Sequence, residues 1–206
     1  LSNSIHGITS DGHVIWAATS YGVFTLNPST GNIFQFSIEN GLKHNKINSI
    51  FQDSKENIWI TTRSNYITVI NGEKLLNYQV TTSGEILDIT SMTEDAKGNI
   101  WIGTSGSGVY RFSSATFTNF STKAGLRSNY CYSVISDKND NLWVGHRGGL
   151  SRIDPNTGII RVYDKTSGIS SDCNPNAIWE DPFDNIWIGT DNGAVKYNPH
   201  KDLKNQ

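Results

Sequence analysis

Asp95-Ala96-Lys97-Gly98-Asn99-Ile100-Trp101-Ile102-Gly103-Thr104 is the stretch that decides the fold. Ile100 and Ile102 point to one face of a strand and Trp101 to the other, so both faces are apolar. A sheet with one wet face would alternate apolar and polar residues. This strand is therefore buried on both sides. The preceding Asp95-Ala96-Lys97-Gly98 reads as a tight turn. The aspartate hydrogen-bonds backbone N–H groups two residues on, and the glycine supplies a positive φ.

The same pattern recurs along the 206 residues. Trp16, Trp59, Trp101, Trp143 and Trp187 follow one another at intervals of 43, 42, 42 and 44 residues. Asn57-Ile58-Trp59-Ile60-Thr61-Thr62, Asn141-Leu142-Trp143-Val144-Gly145-His146 and Asn185-Ile186-Trp187-Ile188-Gly189-Thr190 repeat the central strand, and Val14-Ile15-Trp16-Ala17-Ala18-Thr19 is a weaker copy. Asp53, Asp95, Asp137 and Asp181 stand six residues before their tryptophans, where the first copy has Ser10. Each unit divides into four short strands. In the third these are Ile89–Thr93, Asn99–Thr104, Gly108–Phe112 and Thr116–Ser121, followed by a loop over Lys123–Asn129. Asn27–Gly31 and Asp154–Gly158 are equivalent turns between strands three and four, and Asn198-Pro199-His200 matches them in the fifth copy.

A lone four-stranded sheet of this size is marginal, but sheets stacked face to face bury one another. The fold expected is all-β. It is a β-propeller array of about five four-stranded antiparallel blades, with repeats at about 5–46, 47–88, 89–130, 131–174 and 175–206 in one propeller segment. The fifth blade lacks a fourth strand, because Lys201–Gln206 is short and polar, and Leu1–Ile5 aligns with the inter-blade loop Leu42–Ile47. Together with the opening Leu1-Ser2-Asn3, these ends suggest a piece of a larger propeller.

Composition narrows the function. With 17 basic and 19 acidic residues the formal charge is −2, and no basic cluster invites nucleic acid. No apolar run approaches the roughly 18 residues of a spanning helix, so direct membrane insertion is not expected, and no signal peptide is visible. Cys131 and Cys173 read as two free or partly buried thiols, with a disulfide as the alternative.

The combination Asp-x-x-x-Asn-(Ile/Leu)-Trp-(Ile/Val)-Gly-Thr, Gly-(Val/Leu)-x-(Arg/Lys)-(Phe/Ile/Tyr) and Gly-Leu-x-x-Asn resembles the two-component-regulator propeller repeat. Its clearest copies are Asp95–Phe112 and Asp137–Asp154, and its loop appears as Gly41-Leu42, Gly125-Leu126 and Gly168-Ile169. The resemblance implies the periplasmic sensor region of a Bacteroidetes hybrid two-component histidine kinase, in which such arrays sense glycan-derived ligands and relay a signal. The partners it implies are an oligosaccharide ligand, neighbouring blades of the parent chain and a second copy in a homodimer. A structural or dimerisation propeller without a ligand site is one alternative. A streptogramin-lyase-like or lactonase-like enzyme is another, since those propellers share the Gly-Asn-(Leu/Ile)-Trp signature.

No catalytic, metal or cofactor site is expected, because the histidines and acids do not recur so as to converge. Asp137-x-Asn139-x-Asn141 resembles the start of an EF-hand, but Leu142 stands where glycine is obligatory and Gly148 where glutamate is. Consensus residues are explained by folding, so candidates for ligand contact are those that break the consensus on the rim shared by the strand two–three loops and the inter-blade loops. Arg63, Tyr66, Tyr130, His146 and Arg147 stand out. Arginine offers a planar fork to carboxylates or sulfates, and tyrosine a stacking face to sugars. Trp179, off the tryptophan register, is expected to pack between blades.

Overall fold

A computed structural model describes residues 4–72, 74–81, 85–169 and 171–199. It divides into two compact units, Leu1–Ile89 and Thr90–Gln206. The first holds two four-stranded sheets. One consists of β1 (Ile5–Ser10), β2 (Ile15–Thr19), β3 (Gly22–Leu26) and β4 (Ile33–Phe36). The other consists of β5 (Ile47–Gln52), β6 (Ile58–Thr62), β7 (Tyr66–Asn71) and β8 (Lys74–Gln79). A third sheet opens at the unit boundary with β9 (Ile89–Glu94) and continues through β10 (Ile100–Thr104), β11 (Val109–Ser113) and β12 (Thr116–Phe120). The fourth is β13 (Cys131–Ser136), β14 (Leu142–His146), β15 (Gly149–Ile153) and β16 (Ile160–Tyr163), and the fifth is β17 (Cys173–Glu180), β18 (Ile186–Thr190) and β19 (Gly193–Tyr197). Each sheet is antiparallel and runs in sequence order, and no α-helix occurs among the described residues. The chain is thus all-β and built of propeller blades. His200 and the polar tail Lys201–Gln206, on which the sequence reading of the fifth blade's end rests in part, lie outside the described residues, as do Leu1–Asn3.

The aspartate before each central strand is the hub of its blade. In the third sheet Asp95 Oδ1 accepts from the backbone N–H groups of Lys97 and Asn99, while Oδ2 accepts from Asn99 Nδ2 and, at 2.8 Å, from the indole Nε1 of Trp101. Trp59 and Trp143 donate to Asp53 and Asp137 at the same 2.8 Å, and Trp187 to Asp181 at 2.9 Å. Asp137 thus spends its carboxylate on its own turn, as the reading against an EF-hand requires. The first sheet solves the problem one residue later. Ser10 cannot reach, and Asp11 Oδ2 takes the Trp16 indole proton at 3.3 Å.

With their polar edges satisfied, three of the indoles pack forward onto the following blade. Trp101 shares a core with Leu142 and Val144, Trp143 with Ile186 and Ile188, and Trp16 with Ile58 and Ile60. On strand three a cation stands directly opposite. Arg111 lies over Trp101 at 5.6 Å, Arg152 over Trp143 at 5.8 Å and Lys196 over Trp187 at 5.2 Å.

The Gly-Leu loops are anchors too. Each follows a single 3-10 turn, at Ile38–Asn40, Thr122–Ala124 and Lys165–Ser167, and the glycine closes that turn in the left-handed region, at φ 109° for Gly125. The next residue, Leu42, Leu126 or Ile169, is buried in the core beneath. Asn45 and Asn129, the asparagines of this motif, accept from Ile38 N and Thr122 N, so they brace the loop.

The strand-two glycine has a different cause. A Cβ on Gly145 would stand 2.3 Å from Cys173 Sγ and 3.1 Å from Ile178 Cδ1 of the following blade. Only hydrogen lets β17 pass so close.

Trp179 corrects the sequence expectation. It lies directly opposite Trp187 on the same face of the fifth sheet and is 60% exposed. In the fourth sheet the matching pair, Ile135 and Trp143, is covered by Ile186 and Ile188, whereas no such cover lies over Trp179 among the described residues of this unit.

Two substitutions test these roles. Asp95→Ala orphans the buried Trp101 indole and two backbone donors, and should lower unfolding free energy by about 2–4 kcal/mol. Gly145→Ala should cost about 1–3 kcal/mol by overpacking. Both are read by denaturant titration of tryptophan fluorescence, where an unchanged midpoint for Asp95→Ala would remove the carboxylate from its structural role.

Candidate ligand-binding rim

The loops between strands two and three meet the inter-blade loops along one rim of each blade. In the third and fourth sheets Gly106 and Gly108 donate to Asn129 O, and Ser105 bridges Tyr130. In the fifth, Asp191 N donates to Asp172 O. In the second, Val80 N reaches Asn65 O at 2.8 Å and Leu87 N reaches Ser64 O at 3.4 Å.

The five candidate residues do not form one group. Arg63 and Tyr66 belong to the first unit and Tyr130, His146 and Arg147 to the second. Arg63 begins the β6–β7 loop, exposed. Tyr66 opens β7, half-buried, with Lys43 Nζ 5.0 Å from its ring centroid. Tyr130 is 50% exposed. Arg147 is exposed, its Nε 3.7 Å from Asp172 Oδ2, an ion pair worth under about 1 kcal/mol in such a setting.

His146 is a correction. It was expected as a contact at the blade mouth, but it ends β14 fully buried. The copies with threonine here close the hairpin through the hydroxyl, as Thr104 Oγ1 does by donating to Gly108 O. His146 instead ties the hairpin to the neighbouring loop. Its Nδ1 lies 3.2 Å from Tyr130 O, which only accepts, so Nδ1 carries the proton. Nε2 then accepts from Ser151 Oγ at 2.9 Å, and Ser151 Oγ accepts from Arg127 N. The ring is neutral and fully bonded. Burial holds its pKa down at about 4; the Tyr130 carbonyl opposes this and the Arg127 charge reinforces it.

Cys131 Sγ lies 3.6 Å from His146 Nδ1, but the pair is not a nucleophile and its base. Burial pushes the Cys131 thiol up to about 12, and Cys173 likewise. Both cysteines are free, protonated and buried. Among the described residues no three His, Cys, Asp or Glu side chains are grouped to hold a metal.

The first unit's rim holds a feature that single residues did not reveal. A cavity of about 630 Å³ is lined by His6, Lys46, Asn48, Arg63 and the segment Ile86–Ile89. Of its lining residues only Arg63 stands out in the sequence, and Leu87 is the buried residue of the segment entering β9.

Residues 41–64, 84–106 and 125–148 each match the two component regulator propeller family. The chain carries two-component regulator propeller repeats. No curated protein matches it. Among solved structures, the extracellular domain assigned to a hybrid two component system of B. thetaiotaomicron superposes with a TM-score of 0.81 at 23% identity, covering 98% of this chain and 28% of that one. A second such domain from the same organism gives 0.75 at 20%, covering 96% and 30%. Virginiamycin B lyase from Staphylococcus aureus gives 0.71 at 17%, covering 96% and 72%. At these identities the likeness is one of fold. The chain spans less than a third of the B. thetaiotaomicron domains.

The buried histidine makes stability depend on pH. Unfolding releases it to its ordinary pKa of 6.5, so the unfolded chain binds the extra proton first. Its contribution is complete above pH 6.5 and declines as pH falls toward 4, by about 3 kcal/mol in all. His146→Thr, the residue other blades use, should flatten this part of the stability–pH curve. Equal slopes for both proteins between pH 6.5 and 4.5 would show that the ring is not held neutral.

Proposed function

We propose that this chain is part of the extracytoplasmic, periplasmic sensor region of a hybrid two-component histidine kinase, where it binds a glycan-derived ligand on its loop rim and relays the event to the rest of the protein. The observation that carries the reading is the match of three of its repeats to the two component regulator propeller family. The fold likeness to extracellular domains assigned to hybrid two component systems supports it, as does the lack among the described residues of any helix long and apolar enough to cross a membrane. The distribution of side chains fits as well. The repeated Asp, Asn, Trp and Gly-Leu residues are occupied in folding, so recognition falls to the loops where the repeat breaks.

The lyase-like alternative has a weaker basis. Its fold likeness has the lower TM-score, and the buried thiols and histidine lack the pKa values that nucleophilic or general-base work requires.

Isothermal titration of the chain with neutral and acidic oligosaccharides tests the reading. Saturable binding of at least one class is expected, and no heat from any member of the panel would overturn a ligand site in this chain. If Arg147 takes part, Arg147→Ala should weaken binding of an anionic sugar by about 1–3 kcal/mol, whereas unchanged affinity would exclude it.

A further inference from the structure

Resting on the sensor reading, we infer that the cavity beside Arg63 is the ligand site of the first unit, and that it takes a saccharide of one or two residues bearing a carboxylate or sulfate. Three of its lining side chains, His6, Lys46 and Arg63, are basic, against one carboxylate, Asp88. The side chains of Lys46 and Arg63 have neither an ion-pair nor a hydrogen-bond partner among the described residues. By contrast, Arg111, Arg152 and Lys196 cover indoles, and Arg147 faces Asp172. Two cations against one carboxylate leave the hollow net positive in a chain whose formal charge is −2.

The walls suit a sugar as well as a charge. Asn48 adds an amide that donates and accepts, matching hydroxyl groups. Ile86, 66% exposed, presents an apolar surface to the C–H face of a ring. A volume of about 630 Å³ lies within the range for small-molecule sites.

The cavity wall is tied to the rim. Leu87, itself buried, donates its N–H to Ser64 O of the β6–β7 loop. Arg63 in that β6–β7 loop and Lys46 before β5 are both exposed, with no folding task, and face the hollow.

The test is titration of the 206-residue chain, and of its Arg63→Ala and Lys46→Ala variants, with an unsaturated uronate disaccharide, the same disaccharide with a sulfate, and neutral cellobiose. The acidic disaccharides should bind the parent chain. Each variant should weaken them about tenfold or more while keeping the parent's circular dichroism and melting temperature, because both side chains are exposed and make no ion pair or hydrogen bond among the described residues. The uronate and sulfate arms show which anion is preferred. Binding of cellobiose alone, or of acidic sugars unaffected by either variant, would overturn the cavity assignment and leave the sensor reading standing. No binding of any sugar would overturn both.

Discussion

A carboxylate gripping an indole is the interaction on which every blade depends. The tryptophan must be buried to hold one sheet against the next, but its Nε1–H cannot be buried without an acceptor. The aspartate six residues earlier supplies one, and its other oxygen closes the turn that sets the strand's register. One side chain therefore joins local turn chemistry to inter-sheet packing. The first sheet shows how strong the demand is. When Ser10 occupies the usual place, Asp11 bends in from the next position and restores the bond at a longer distance.

Much of the fold was legible because this demand repeats. Asp, Asn, Trp, the strand-three cation and the Gly-Leu anchor recur at near-constant spacing, and each has a local or nearest-neighbour cause. The residues misread are those whose setting depends on something beyond the repeat. His146 looked like a rim residue because threonine ends the strand elsewhere; its burial comes from Tyr130 and Ser151, neither of which marks it in the sequence. Trp179 looked like packing because its position normally faces another sheet, and here no sheet among the described residues of its unit covers it.

The candidate site was legible only in part. Arg63 was singled out as a departure from the pattern, but Lys46, Asn48 and His6 were not, since nothing in the spacing places them beside it. They meet because β1, β5 and the loop before β9 run to the same rim. Conversely, Asn45 and Asn129 lie on that rim in sequence and prove to be braces for the 3-10 turns. The cavity forms where these segments meet Ile86–Ile89.

The close approach at Gly145 has a consequence for chemistry on the thiols. Cys173 is wedged against a residue with no side chain, and Cys131 sits in the neighbouring core beside a neutral imidazole. An alkylating reagent can reach neither until adjoining sheets part, and the thiolate it requires is scarce at neutral pH. The two cysteines are therefore built-in reporters of blade separation in the second unit. Cys131 marks the seam between the third and fourth sheets and Cys173 that between the fourth and fifth, so their relative labelling rates would show which seam opens first.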